Sequence, residues 1–214
     1  MKELLDYRKK PISIYETKSD SANVAIFYPG FGYSLKAPIF CYLIEFFESS
    51  GFNILGIDYR YDENSDFMAL SDQAQDTWFE YDSGVIGQYV LDRIDKYKKV
   101  IYIGKSLGTT MLMKQAQKGL VFTEATLIWL TPGAYVHDIY STILEIPNKS
   151  LVVYGTADRY YKSEEVERLK DQSKVQIKEL PNAEHSFEVK GNIEKSIMNL
   201  VEVVKAVEGF VGIK

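Results

Sequence analysis

The chain of 214 residues has an ordinary globular composition, with 46% hydrophobic and 26% charged residues and a formal net charge of −5. This length fits a single core, so we expect residues 1–214 to form one domain. The negative charge argues against a nucleic-acid partner, because nucleic-acid binding requires a basic face. No apolar run approaches the ~20 residues that span a bilayer, and the first residues lack the pattern of a signal peptide.

The compartment is predicted from the same composition. The chain has one cysteine, so it can form no internal disulfide. Together with the lack of a membrane or secretion signal, this predicts a cytoplasmic protein with neither a membrane nor a nucleic-acid partner. Cys41 itself lies in an apolar segment, which favours a buried structural residue.

Short apolar runs alternate with segments of helical period along the chain. Most of the runs are continuously apolar, which is typical of strands covered on both faces of a parallel sheet. They comprise residues 23–28, 53–59, 100–103, 126–130, 151–154 and 175–180, with 12–15 as a further candidate. The alternation predicts an α/β fold, a three-layer α/β/α sandwich with a mainly parallel central sheet.

Several helices have recognisable signals. Thr77 and Glu80 have the spacing of a capping box, which predicts a helix start at Thr77. Ser163 precedes two acidic residues, a pattern typical of a helix N-terminus. A final amphipathic helix is predicted from an apolar stripe made of Ile193, Ile197, Leu200, Val201 and Val204.

A serine between two glycines follows one of the predicted strands. The segment Gly-Lys-Ser-Leu-Gly at 104–108 comes directly after residues 100–103, and residues 109–118 have a helical pattern. In a sharp strand-to-helix turn the glycines let strand and helix approach, and the serine hydroxyl is lifted clear of the sheet. We therefore predict Ser106 as a nucleophile. Lys105 beside it is interpreted as a packing residue.

A serine hydroxyl needs a general base, and the chain has two histidines. His185 lies in a loop directly after residues 175–180, so it is placed at the carboxyl edge of the predicted sheet. His137 is expected to lie near a helix start. This difference favours His185 as the base.

The base in turn needs a carboxylate that fixes its tautomer. Asp158 directly follows the run 151–154 and lies between Ser106 and His185 in the chain. The order serine, acid, histidine then falls on three strand ends. Asp138 and Glu184 are the weaker candidates for the acid.

Two backbone N–H groups are expected to stabilise a developing oxyanion. The first belongs to Leu107, the residue after the nucleophile. The second comes from the glycine-rich loop at 28–34, where Phe31 is the first choice, with Gly30 and Gly32 as alternatives.

Four tyrosines fall on loops that should border this site, at positions 33, 135, 160 and 161. The candidates for a substrate pocket are Tyr33, Tyr135 and Tyr160. No cluster has metal-ligand spacing, and neither a phosphate loop nor a dinucleotide fingerprint is present. We therefore expect no metal and no cofactor.

Four ordered motifs together resemble the α/β-hydrolase superfamily: 29–32, 104–108, 155–158 and 183–187. The resemblance extends over nearly the whole chain, from about residue 23 to the last predicted helix. It implies the α/β-hydrolase fold, with these motifs as oxyanion loop, nucleophile turn, acid and base. Many members insert a cap domain after the strand that follows the nucleophile helix. Here about twenty residues separate 130 from 151, so we expect no cap domain.

The resemblance also implies a function. We expect a carboxylesterase-like serine hydrolase that cleaves small-molecule esters through an acyl-enzyme. A thioesterase, a peptidase and a non-catalytic binding protein on the same fold are the alternatives. The sequence leaves the oligomeric state and the physiological substrate open.

Overall fold

A computed structural model of the chain describes residues 3–133 and 135–213. The strands in this part of the chain are β1 (Ser13–Glu16), β2 (Asn23–Tyr28), β3 (Asn53–Asp58), β4 (Lys99–Lys105), β5 (Thr126–Leu130), β6 (Ser150–Gly155) and β7 (Val175–Leu180). The helices are α1 (Pro38–Ser49), α2 (Ser65–Met68), α3 (Asp72–Ile94), α4 (Leu107–Gln117), α5 (Val136–Glu145), α6 (Ser163–Lys170) and α7 (Ile193–Val211).

The strands form one sheet in the order β1-β3-β2-β4-β5-β6-β7. Strand β1 is antiparallel to β3 at one edge, and the other neighbouring strands are parallel. Helices α1 and α7 pack on one face, and α3 to α6 pack on the other. The predicted three-layer sandwich with a mainly parallel sheet is confirmed.

The predicted strands match the observed ones to within two residues at each end. Their residues are buried almost without interruption in β2 to β6, because helices cover both faces of the sheet. The largest difference is at β4, which continues through Lys105 to the nucleophile turn.

One predicted helix start was wrong, and the other is confirmed. Helix α3 begins at Asp72 with Ser71 as its N-cap, so the capping-box spacing at Thr77 and Glu80 does not mark its start. Thr77 lies inside the helix, where its hydroxyl donates to the carbonyl of Gln73, four residues earlier. Helix α6 has Lys162 as its N-cap and Ser163 as its first residue.

The apolar stripe predicted for the last helix contains its most exposed apolar side chains. Ile193 is 78% exposed and Ile197 is 56% exposed. The residues of α7 that are buried follow another helical spacing: Asn199, Val203, Val207 and Val211. Helix α7 thus carries two apolar stripes, and periodicity alone does not show which one faces the sheet.

The prediction that Cys41 is buried was wrong, since this cysteine is exposed. Helix α1 packs against the sheet through Ile39, Phe40, Leu43 and Phe47. Cys41 and its neighbour Tyr42 project from the opposite side of the helix, where solvent reaches them.

The expected lack of a cap domain is confirmed for the described residues between β5 and β6, which form the single helix α5 and its loops. This leaves the carboxyl edge of the sheet uncovered by an inserted domain. Within residues 3–133 and 135–213, no helix has both the length and the apolar composition that would carry it through a bilayer.

Candidate active site

Ser106 occupies a sharp turn between β4 and α4. Its backbone has φ 51° and ψ −115°, a conformation that costs a non-glycine residue about 1–3 kcal/mol. The flanking glycines are required sterically. A Cβ atom at Gly108 would lie 1.9 Å from the carbonyl oxygen of Tyr28, and one at Gly104 would lie 2.6 Å from the carbonyl oxygen of Gly108. The close packing of strand and helix therefore depends on both glycines.

Three side chains from separate loops form a continuous chain of contacts at this turn. The Oγ of Ser106 lies 2.7 Å from Nε2 of His185, and Nδ1 of His185 lies 2.7 Å from Oδ2 of Asp158. The Asp158 side chain is 1% exposed and the His185 side chain 30%. The second oxygen of Asp158 accepts the N–H of Tyr160 at 3.0 Å. Such an arrangement holds the imidazole in one tautomer with its Nε2 toward the serine.

The loops that carry Asp158 and His185 are held against each other by their backbones. A Cβ atom at Gly155 would lie 2.0 Å from the carbonyl oxygen of Ala183, so only glycine allows this approach. The same carbonyl accepts the N–H of Ala157 at 3.0 Å, and Thr156 accepts the N–H of Asn182 through its hydroxyl at 2.9 Å. The distance between the carboxylate and the imidazole is therefore set by bonds between the two loops.

The weaker candidates for base and acid lie elsewhere. His137 is exposed on α5, and its Nδ1 lies 2.8 Å from a carboxylate oxygen of Glu165 on α6. Asp138 is exposed in the first turn of α5. Glu184 is exposed beside His185 at the mouth of the site. The contacts to Ser106 and His185 are thus made by the residues that the sequence favoured.

Both predicted oxyanion donors lie on segments that flank Ser106. Leu107 is the first residue of α4, and N–H groups in a first helical turn have no acceptor within the helix. Phe31 follows Gly30, where a Cβ atom would lie 3.1 Å from Cβ of Ser106. The hydroxyl of Tyr59 donates to the carbonyl of Pro29 and holds this loop in place.

Lys105 is buried beneath the site. Only 2% of it is exposed, and its Nζ donates to the hydroxyl of Thr131 at 2.9 Å and to the carbonyl of His185 at 3.0 Å. The ammonium group also lies 4.9 Å from the ring centre of Tyr33 and 5.1 Å from that of Phe187. Burial lowers the pKa of Lys105 to about 8, against the opposing effect of Asp158.

The sequence interpretation of Lys105 as a packing residue missed these bonds. Within β4, Lys105 has the same parity as Ile101 and Ile103, which are buried on the face covered by α1 and α7. A lysine in the register of buried isoleucines is the signal that was available. The residue therefore links the nucleophile strand to the loop that carries the histidine.

A cavity of about 190 Å³ lies beside Ser106. Its walls come from the oxyanion loop, the nucleophile turn and the histidine loop: Phe31, Tyr33, Lys105, Ser106, Glu184, His185 and Ser186. Of the three candidate pocket tyrosines, Tyr33 lines this cavity, and the ring of Tyr160 lies 5.3 Å from the ring of His185. Tyr135 is directed to α3 instead, since its hydroxyl donates to Asp76 at 2.5 Å.

Within residues 3–133 and 135–213 there is no group of three or more histidine, cysteine or acidic side chains placed to hold a metal ion.

Comparison with known proteins bears on the fold. No protein-family model and no curated protein sequence matches the chain. Among solved structures it is similar to Est1E from Butyrivibrio proteoclasticus, at 14% identity and a TM-score of 0.68, over 97% of this chain and 96% of that one. Dienelactone hydrolase from Anabaena variabilis is similar at 17% identity and a TM-score of 0.68, over 98% and 94%. An esterase from Pyrococcus furiosus is similar at 16% identity and a TM-score of 0.66, over 98% and 88%.

These similarities extend over nearly the full length of each chain, and at such low sequence identity they show the fold alone. The chain has the α/β-hydrolase fold, as its four ordered motifs had suggested.

Proposed function

We propose that this chain is a serine hydrolase that cleaves a carboxylic ester through an acyl-enzyme, with Ser106 as nucleophile. The observation that carries the proposal is the unbroken series of two 2.7 Å contacts from Ser106 through His185 to the buried Asp158. A nucleophile, a base and an orienting acid at these distances are what acyl transfer to a serine requires.

In the first half-reaction, the Oγ of Ser106 attacks the ester carbonyl carbon while Nε2 of His185 accepts the hydroxyl proton. The carbonyl π electrons move to oxygen, where the N–H groups of Leu107 and Phe31 stabilise the charge. The tetrahedral intermediate collapses and breaks the bond to the alcohol oxygen. His185 donates its proton to that oxygen, and an ester of Ser106 remains.

In the second half-reaction, water takes the place of the departed alcohol. His185 accepts a proton from the water, whose oxygen attacks the acyl carbon. As the second intermediate collapses, the bond to Oγ of Ser106 breaks, His185 returns its proton to that oxygen, and the carboxylic acid is released. Asp158 remains a carboxylate throughout, where it fixes the tautomer of His185 and stabilises the imidazolium. Every step uses groups of this chain, the ester and water.

The neighbours support an ester as the bond that is cleaved. The similar structure from Pyrococcus furiosus is an esterase, and another, from Rhodothermus marinus, is an esterase domain. The structure from Anabaena variabilis is a dienelactone hydrolase. Est1E is also known with ferulic acid bound. We therefore propose a small-molecule ester as the substrate. Thioester and amide bonds use the same machinery, and their rates relative to an ester measure the preference.

Covalent labelling by a fluorophosphonate probe tests the nucleophile. We expect the wild-type chain to be labelled at Ser106 and Ser106→Ala to be unlabelled. Absence of labelling in the wild type would identify a non-catalytic binding protein on this fold. Equal labelling of both chains would place the reactive group elsewhere.

The base is tested by a matched pair of histidine variants. We expect His185→Ala to lower the turnover of an activated ester by about 10²–10⁴-fold, because the serine loses its general base. His137→Ala should retain the wild-type rate, since this histidine contacts Glu165 on the exposed side of α5. Equal losses in the two variants would contradict the assignment of the base.

A further inference from the structure

A second and larger groove adjoins the candidate site. It has a volume of about 710 Å³ and runs along the histidine loop to the first two turns of α7. Three residues line both this groove and the cavity beside Ser106: Tyr33, Glu184 and Ser186. The two spaces therefore share part of their walls, and the groove lies next to the cavity beside Ser106.

The far end of the groove is apolar. It is lined by Val189, Ile193, Ile197 and Leu200, and the two isoleucines are exposed by 78% and 56%. Exposed isoleucines one helical turn apart do not contribute to the core of the chain. They offer an apolar surface that an alkyl chain could cover, with a gain of about 25 cal/mol per Å² buried.

The position of the groove relates it to the leaving group of the proposed reaction. In ester cleavage the histidine delivers a proton to the alcohol oxygen, so the alcohol lies on the side of His185. Glu184 and Ser186, which join the groove to the site, are the chain neighbours of His185. The groove thus begins beside the residue that would protonate the alcohol oxygen.

The charges along the groove favour an uncharged group as its occupant. Glu184 and Glu188 line it together with a single cation, Lys190. A chain that ends in a carboxylate would meet a net negative wall, whereas an uncharged alkyl chain meets no such cost.

We propose that this groove binds the alcohol moiety of the substrate, and that the substrate is an ester of an uncharged alkyl alcohol. The inference rests on the proposed function and names the part of the substrate that sets specificity. The acyl part is left to the small cavity beside Ser106. A second copy of this chain is the other occupant that would cover the isoleucines, and the tests below distinguish it.

The first test is the rate of hydrolysis of alkyl acetates from methyl to hexyl. Every member gives the same acetyl-enzyme, so changes in kcat/KM report the alcohol alone. We expect kcat/KM to rise with chain length, by up to about fourfold for each methylene group. In the double variant Ile193→Gln/Ile197→Gln the hexyl-to-methyl ratio should fall toward one.

The matched control is Met198→Gln/Val201→Gln. These two residues are exposed apolar side chains of the same helix that do not line the groove. We expect this control to keep the wild-type dependence on chain length. A flat series in the wild type, or an equal change in both double variants, would overturn the inference. Labelling of Ser106 by the fluorophosphonate would at the same time leave the proposed function standing.

The second test does not depend on turnover. Binding of hexyl acetate to Ser106→Ala is measured by saturation-transfer NMR, with and without the two isoleucine substitutions. We expect the substitutions to weaken binding at least tenfold. Equal binding would overturn the groove even if no ester is hydrolysed. A wild-type dimer that becomes monomeric in Ile193→Gln/Ile197→Gln, with no dependence on chain length, would assign the surface to a second copy instead.

Discussion

Two of the buried charged side chains, Lys105 and Asp82, lie on opposite faces of the sheet and differ in what they hold together. Lys105 lies on the face covered by α1 and α7, and Asp82 lies on the face covered by α3. Asp82 is 0% exposed and accepts the N–H of Tyr7 at 2.8 Å and the hydroxyl of Tyr61 at 2.7 Å. Burial raises the pKa of Asp82 to about 6, whereas burial lowers that of Lys105 to about 8.

The physical cost is the same in both places, since burial disfavours the charged form of each group. The partners differ. Those of Asp82 belong to the N-terminal segment and to the turn before α2, so this carboxylate joins two segments that contain none of the proposed catalytic residues. The partners of Lys105 include the backbone of the proposed base. Comparable burial is thus expected to affect stability alone at Asp82, but stability and catalysis at Lys105.

The largest expected effect is the pH dependence of stability that Lys105 contributes. Its pKa is about 8 in the folded chain, against an ordinary value of 10.5. Between these values the unfolded chain binds more protons, so the free energy of unfolding should rise as the pH rises from about 8 to about 10.5. The gain is on the order of 3 kcal/mol. Urea denaturation of the wild type and of Lys105→Met across this pH range measures the gain, as the difference between the two pH dependences of the free energy of unfolding. The same pH dependence in both chains would contradict the prediction.

Asp82 should give the opposite slope in a lower pH range. Its folded pKa of about 6 lies above the ordinary 3.8, so the folded chain binds more protons between these values. The free energy of unfolding should therefore fall as the pH rises from about 4 to about 6, by slightly less than the ~3 kcal/mol expected for Lys105. Asp82→Asn should remove this slope and keep esterase activity. An unchanged slope would show that Asp82 does not titrate in this range.

The smallest expected effect is on catalysis, and it separates the two residues most clearly. Lys105→Met removes the donor to the carbonyl of His185 while it keeps the volume of the side chain. We expect kcat to fall about 10- to 100-fold, because a displaced base accepts the serine proton less effectively, and KM to change little. The free energy of unfolding should change by no more than about 2 kcal/mol, since an apolar side chain replaces a buried charge. Wild-type kcat in this variant would make Lys105 as remote from catalysis as Asp82.

Much of the fold could be predicted from the sequence because the strands are continuously apolar and the turns carry glycine where the chain packs closely. The proximity of Ser106, Asp158 and His185 follows from the same pattern. Each residue comes just after a strand of a parallel sheet, and the carboxyl ends of such strands meet at one edge. The order of strands and loops along the chain therefore predicts that three residues far apart in the sequence lie close together.

Other features depend on packing that the chain order does not encode. Helix α7 carries one stripe through Ile193 and Ile197 and another through Val203 and Val207, and both have helical spacing. The buried stripe is the one that includes Asn199, whose amide donates to the carbonyl of Phe187 at 2.8 Å. The bond from Lys105 to the His185 carbonyl likewise joins residues eighty positions apart. The register of Lys105 in its strand indicates that it is buried, but the local sequence identifies the acceptor in neither case.

The proposed role of Ser106 as the acylated nucleophile is tested by the pre-steady-state hydrolysis of p-nitrophenyl acetate, followed by acid quench and peptide mass analysis. We expect a burst of p-nitrophenol and a single acetyl group on the peptide that contains Ser106, with neither in Ser106→Ala. An acetyl group on another residue, or the same burst from Ser106→Ala, would contradict it.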